Sequence, residues 1–189
     1  MPLTQQDAIV ARFEAVFEAE LGYVWTSLRR LGVQPRDLED VAHEVFLKAY
    51  GAFASYDPTR PIRPWLFAFA FRLASDYRRL ARHRTSLYGD EDPAADDRPD
   101  AEQALLQRQR EELVSRALES LEMDRRAVFV LHELDEQPMP VVAEMLGIPL
   151  NTGYSRLRTA REEFSAAVRR LDRTLTSREK AKPENEAPK

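Results

Sequence analysis

Apolar residues fall at Leu38, Val41, Ala42, Val45, Phe46, Ala49 and Tyr50, the three-and-four spacing that puts them on one side of an amphipathic helix. The other side carries Glu39, Asp40, His43, Glu44 and Lys48. An earlier stretch, Gln5 to Leu31, repeats the pattern with Ile9, Phe13, Val16, Phe17, Leu21, Val24, Trp25 and Leu28, and Gly32 and Pro35 end it. Three prolines make a loop of SYDPTRPIRP, and Pro64 suits the first turn of the helix that follows. The segment RPWLFAFAFRLASDYRRLARHR, residues 63–84, is two-sided at its start, where Trp65, Phe67, Phe69 and Phe71 alternate as in a strand. Leu66, Phe69, Leu73, Tyr77 and Leu80 then continue at helical spacing over too many residues for an ordinary strand, so the pattern predicts helix. Its aromatics occupy more than one face, so at least one or two of them are expected outside the local core.

Downstream, Leu113–Leu121 and Asp124–Leu134 give two more helical patterns. A short helix is expected to open at Pro140, Gly147 to make a tight turn, and a longer helix to start at Asn151 or Thr152, either of which can cap it. In that helix Leu157, Ala160, Phe164, Val168 and Leu171 recur three or four apart. Two helices joined by a glycine turn, with the small Ala143 four residues before Gly147, form the sequence pattern of a helix-turn-helix. The predicted fold is therefore all-α, with two small helical domains at 1–85 and 111–172. An acidic flexible linker, 86–110, is expected between them and a disordered tail at 173–189. No internal repeat is visible.

Charge sharpens this picture. The formal net charge of -4 hides a segregation: residues 60–84 hold seven arginines and one aspartate, whereas 86–112 hold nine acidic residues and three arginines. A basic, aromatic segment is followed directly by an acidic one. The 189 residues, 43% apolar, suffice for one domain or two small ones. There is no cysteine, which excludes disulfides and thiolate metal sites, and His43, His83 and His132 lack ligand spacing, so neither a metal nor a cofactor is expected. No signal peptide is recognisable in MPLTQQDAIVARF, and the run Trp65–Phe71 is too short to cross a bilayer, so a cytoplasmic protein without membrane insertion is expected.

In a helix-turn-helix the start of the second helix meets base edges, which assigns Tyr154, Ser155, Arg158 and Thr159 to base readout. Asn151, Thr152, Arg156 and Arg161 become phosphate contacts. In the basic segment, Tyr56, Trp65, Phe67 and Phe71 offer faces on which unpaired bases stack, each stacked base contributing about 1–3 kcal/mol. Arg60, Arg63, Arg72, Arg78, Arg79, Arg82 and Arg84 supply the charge. Any one of these aromatics read alone is more often core, and Arg72, Asp76 and Arg79 also suit a surface ion network. The seven-to-one bias toward arginine favours a nucleic-acid surface. Carboxylates occur on exposed helix faces without a nucleophile, a phosphate loop or a metal set, so no enzyme is indicated.

The order of these pieces resembles that of bacterial RNA polymerase sigma factors of the extracytoplasmic-function group. The resemblance rests on DLEDVAHEVFLKAY, the proline-rich loop, RPWLFAFAFRLASDYRRLARHR, the acidic linker and ALESLEMDRRAVFVLHELDEQPMPVVAEMLGIPLNTGYSRLRTARE. It covers about residues 10–171 and implies a helical region 2 and a helical region 4 that bind core RNA polymerase and promoter DNA. By this resemblance Asp37, Asp40, His43, Glu44 and Lys48 dock on the clamp coiled coil of the polymerase's largest subunit. The loop from Ser55 to Arg63 and the helix after it capture a flipped base of the minus-10 element, with Tyr56, Arg60, Arg63, Trp65, Phe71, Arg72, Arg78 and Arg79 as contacts. The second helix of region 4 reads the minus-35 element. An anti-sigma factor is an expected partner.

The chain departs from the family pattern at Arg72, where asparagine is usual, His43 for glutamine, Glu122 for proline, Val141 for an acidic residue and Gly153 for a β-branched residue. Gly153 is expected to weaken the recognition helix by about 1 kcal/mol relative to alanine, with Tyr154 compensating, and to shift promoter preference. Two other readings remain at this stage. One is a dimeric helix-turn-helix regulator of duplex DNA, and the other a sigma-like protein that sequesters polymerase or an anti-sigma partner without initiating transcription.

Overall fold

The computed structural model describes residues 5–88 and 102–181, with side chains described for 7–81 and 110–173; no strand occurs among the described residues. Helix α1, Gln5–Arg30, ends in a Schellman turn: Val33 N–H reaches the Leu28 carbonyl at 3.0 Å and Gly32 sits at φ 91°. A 3₁₀ turn, Pro35–Asp37, leads into α2, Leu38–Phe53. Helix α3, Ile62–Tyr88, packs on both to complete a three-helix module. The alternating aromatic run is thus helix, as the spacing predicts, because its alternate residues face two different neighbours. Phe67 is fully buried, while Trp65, Phe69 and Phe71 remain half-buried. Phe67 is core and offers no face to a base.

The second module comprises α4, Glu102–Glu119, α5, Met123–Phe129, α6, Met139–Leu146, and α7, Leu150–Ala181. Helix α5 continues into one π-turn, Val130–Leu134. Gly147 closes α6 at φ 65°, with the Ile148 N–H on the Ala143 carbonyl at 2.9 Å, again a Schellman turn. Helix α7 opens at Leu150, before the expected caps Asn151 and Thr152. The segment expected as linker, 86–110, is helical up to Tyr88 and from Glu102, and the tail expected to be disordered from 173 is helical to Ala181. The first extension, EQALLQRQR at 102–110, is made of strong helix formers, and the second, RTLTSREKA at 173–181, continues the long helix α7 without a proline or glycine to stop it. The remainder of the linker and tail, 89–101 and 182–189, lies outside the described residues.

The modules do not stand apart. Helix α3 packs on α6 and α1 on α4, and one apolar core runs through both, from Phe13, Val24 and Leu28 to Leu118, Val130, Val142 and Leu157. At the junction the Arg126 side chain is fully buried, its guanidinium donating to the Leu31 carbonyl of the first module at 3.1 Å and to the Leu121 carbonyl at 3.2 Å. A Cβ on Gly32 would lie 2.6 Å from that guanidinium. Gly32 therefore meets two demands at once, a left-handed turn and the close approach of Arg126.

Candidate nucleic-acid interface

Three surfaces gather the residues singled out in the sequence. The first is a ladder of rings at the start of α3. Phe13 meets Phe53 at 5.1 Å between centroids, Phe53 stacks on Tyr56 at 5.8 Å, Tyr56 meets Trp65 at 4.9 Å and Trp65 meets Phe69 edge-on at 4.9 Å. The Arg72 guanidinium lies over Phe69, 4.9 Å from the ring centre. Trp65, Phe69, Arg72, Asp76 and Arg79 follow each other at steps of three and four, so they share one face of α3. Phe69 belongs to this face although the sequence reading used it only for periodicity. The signal was present, four residues after Trp65 and three before Arg72.

The loop feeding the ladder is held in shape by its own polar groups. Asp57 accepts from the Thr59 N–H at 3.0 Å and its hydroxyl at 2.7 Å, bonds that also hold the Asp57 carboxyl below the usual carboxylate range. The Tyr56 hydroxyl donates to the Arg60 carbonyl, and Arg60 N–H bonds the Asp57 carbonyl at 3.1 Å. Burial, then the neighbouring Asp57 charge, push the Tyr56 phenol up, so it stays a donor. These bonds fix the loop and the Tyr56 ring at the head of the ladder.

Not every predicted strand contact joins this face. Arg63 bonds Glu20 at 2.8 Å and lies over the Tyr23 ring, turned toward α1; Arg78 reaches the Met123 sulfur at 4.0 Å at the junction of modules. Phe71 packs against the core. Arg79 is exposed and pairs with Asp76 at 3.0 Å, whereas Arg72 turns to Phe69. The side chains of Arg82 and Arg84 lie outside those described.

The second surface is on α2, where Asp40, His43, Glu44 and Lys48 are exposed, with Glu44 and Lys48 3.4 Å apart. Leu47 stands among them, 58% exposed, an apolar residue that the polar stripe in the sequence concealed. Asp37 behaves differently. It accepts from the Tyr77 hydroxyl at 2.6 Å, tying the start of α2 to α3, and burial, then this hydrogen bond, raise the Tyr77 phenol.

The third surface is the start of α7. Asn151, Tyr154, Ser155 and Arg158, at i, i+3, i+4 and i+7, form one exposed face. Thr152 and Thr159 are half-buried, Arg156 is tied to Asp124 at 2.5 Å, and Arg161 to Glu133 at 2.6 Å. Gly153 is buried, and a Cβ there would meet the Met139 sulfur at 2.7 Å. The glycine therefore does more than weaken the helix: it lets the first turn of α7 seat against Met139 of α6. Tyr154 is half exposed and does not refill that contact.

A helix-turn-helix with a free reading face, joined to a helical module bearing a preformed aromatic and basic track, defines a two-module nucleic-acid-binding protein. Family models match both modules: sigma-70 region 2 over residues 16–84 and sigma-70 region 4 over 103–164. The RNA polymerase sigma factor CnrH of Cupriavidus metallidurans is 31% identical over 148 residues, covering 74% of this chain and 78% of that protein. The ECF RNA polymerase sigma-E factor of Escherichia coli K12 is 30% identical over 147 residues, covering 72% and 76%. Among solved structures, CnrH in complex with the cytosolic domain of CnrY superposes with a TM-score of 0.58 at 26% identity, covering 82% of this chain and 85% of that one. The sigma factor RpoE of Bartonella quintana, in complex with the anti-sigma factor NepR, gives 0.65 at 18% identity, covering 84% and 97%, a likeness of fold. The chain belongs to the extracytoplasmic-function group of RNA polymerase sigma factors, and its function is promoter recognition in transcription initiation.

Among the described residues no helix is long and apolar enough to cross a membrane, and no group of side chains is arranged to hold a metal ion.

Proposed function

We propose that this sigma factor recruits core RNA polymerase through α2 and opens its promoters by gripping one strand on α3 while α7 reads the duplex upstream. The observation that carries the reading is the ring ladder Tyr56, Trp65, Phe69 with Arg72 at its end, half-buried and held by the loop's own hydrogen bonds. Bases that leave the duplex stack there, and the binding energy of about 1–3 kcal/mol per stacked base offsets the unstacking of a few pairs. Strand separation is then a binding equilibrium, and the chain needs no catalytic group.

On α2 the working surface is Asp40, His43, Glu44, Leu47 and Lys48, with Leu47 the apolar centre and the charges its rim. On α7, Tyr154, Ser155 and Arg158 meet base edges and Asn151 a phosphate; Arg156 and Arg161 orient the helix through Asp124 and Glu133. In this reading residues 1–85 carry the polymerase and strand contacts and residues 111–172 the duplex contacts. The protein acts in the cytoplasm, where its polymerase is, and an anti-sigma factor is its natural regulator, as CnrY and NepR are seen bound to its structural neighbours.

Run-off transcription with purified core polymerase on genomic fragments, with and without the protein, tests this. New start sites that depend on the protein, and are lost in Trp65→Ala, are expected. Polymerase binding without new transcripts would overturn the initiation reading in favour of sequestration.

A further inference from the structure

The first basic residue of the chain is Arg12; no other precedes Arg29, and Asp7, Glu14, Glu18 and Glu20 make this part of α1 acidic. The positions three and four residues to either side, where a helical ion-pair partner would sit, are Ala8, Ile9, Ala15 and Val16. The Arg12 side chain is exposed, and its guanidinium lies over the Phe53 ring, 5.7 Å from the centre. A lone cation among acids, resting on a ring, is not accounted for by an ion pair along its own helix.

Phe53 is the buried end of the ring ladder. It stacks on Tyr56 with the two rings 11° from parallel, and Tyr56 leads through Trp65 to Phe69. At the opposite end the Arg72 guanidinium lies over Phe69. The row of rings is thus closed at each end by a guanidinium on a ring face, one from α3 and one from α1. Arg63 also lies over a ring, that of Tyr23, but its guanidinium is held by Glu20 at 2.8 Å. Burial, then the Asp57 charge, raise the Tyr56 phenol, while the Arg12 charge draws it the other way, so this guanidinium acts within electrostatic reach of Tyr56.

A guanidinium lying on a ring keeps N–H edges free for other acceptors, and its planar fork matches two oxygens of a phosphate. A strand whose bases stack on Tyr56 and Trp65 carries a phosphate at every nucleotide step, so a cation beyond each end of the rings meets the backbone where stacking stops. We propose that Arg12 of α1 binds a phosphate of the melted promoter strand beyond Tyr56, the counterpart of Arg72 at the other end of the rings. The proposal rests on the strand-binding reading above and extends that surface onto a helix the reading leaves out. The strand then runs from α3 across the loop to the first turns of α1. Holding its backbone at both ends sets which bases lie against the rings.

Holoenzyme assembled from core polymerase and saturating full-length chain tests this on a promoter fragment recovered by the run-off assay, its melted segment held open by mismatched pairs. Fluorescence anisotropy reads affinity between about 50 and 200 mM salt, where each phosphate contact to a single strand contributes about 0.7 to the slope of log affinity against log salt. Arg12→Gln is expected to weaken binding about three- to tenfold at the lowest salt and to reduce that slope by about 0.7. Arg12→Lys, which keeps the charge, is expected to restore the slope. Arg29→Gln makes the same change of net charge at the exposed far end of α1 and is expected to leave the slope unaltered. An equal drop in slope for Arg29→Gln would count against Arg12, as a general effect of net charge. Weaker binding of Arg12→Gln at unchanged slope, with a lower thermal midpoint of the chain, would reduce Arg12 to a buttress for Phe53 and overturn the phosphate contact. Unchanged affinity and slope in Arg12→Gln, where Trp65→Ala still weakens binding, would remove the Arg12 proposal alone. If Trp65→Ala holds the open fragment as tightly as the wild type, the strand-binding reading falls as well.

Discussion

Gly153 and Met139 form a pair that only the folded chain displays. Against the family's usual β-branched residue, a glycine in the first turn of the recognition helix looks like a loss. The structure gives it a partner: Met139 is 2% exposed, and its sulfur occupies the space of the missing side chain. Gly153→Val is therefore expected to destabilise region 4 by about 1–3 kcal/mol through overpacking. Met139→Ala in the same chain should recover part of that loss, and a double-mutant cycle by urea unfolding measures the coupling. Gly32→Ala faces a harder obstacle, a positive φ beneath a buried arginine, and no flexible neighbour can yield without exposing the guanidinium. A lower thermal midpoint in Gly32→Ala, with helicity retained at low temperature, is the expected outcome by circular dichroism. Sequence spacing placed Gly32 at a helix end and Gly153 in the first turn of the recognition helix, but it could not supply the atoms opposite them: Arg126 lies 94 positions from Gly32, and Met139 lies on the preceding helix.

Helix α3 was legible as a helix, and its division of labour only in part. Period and charge marked it as apolar and basic together, yet they could not tell which ring faces the core. Phe67 goes in, Phe69 joins the exposed track, and Arg63 and Arg78 turn to Glu20 and to the module junction. Those choices depend on the angle at which α3 crosses its neighbours, which no local pattern encodes. Phe69→Ala is expected to weaken strand binding by about 5- to 150-fold, the equivalent of one lost base stack. Arg78→Ala should act instead on stability, with strand affinity at saturating folded protein little changed. On α2 the polar stripe hid Leu47. Leu47→Asp is expected to reduce affinity for core polymerase more than Lys48→Ala does, read as a competition titration against the wild-type chain, because the apolar centre of a docking surface outweighs its charged rim.

At the scale of the whole molecule, two modules were legible and their embrace was not. Nothing in the local pattern marks Asp135 or Glu144; their partners Tyr23, Arg30 and Arg60 lie between 84 and 112 residues away. Burial raises the Asp135 carboxyl above its ordinary range, against the opposing pull of Tyr23, Arg30 and, more distantly, Arg63. A carboxyl that holds its proton more tightly when the modules are together favours the closed form as pH falls. The gain develops between the raised value and the ordinary one, and is absent at pH above both. A chain spin-labelled at Glu18→Cys of α1 and Ser165→Cys of α7, both exposed, is thus expected to shift toward shorter inter-module distances in mildly acidic buffer, and Asp135→Asn should flatten that response. At neutral pH the hydrogen bonds from Tyr23 and Arg30 offset part of the cost of burying the Asp135 carboxylate.

Helix α3 is also a ruler. From Trp65 to Arg79 its aromatic and basic track spans fourteen residue steps, about 21 Å at the rise of an α-helix. A strand lying along it with bases stacked at about 3.4 Å each offers about six nucleotides over that length. A rigid helix neither stretches nor shortens with sequence, so if α3 grips the strand as proposed, the span of bases it holds is set by geometry before any base is read. Promoters served by this protein should share a melted segment of similar length upstream of the start site even where their sequences differ. Permanganate footprints would show that common length.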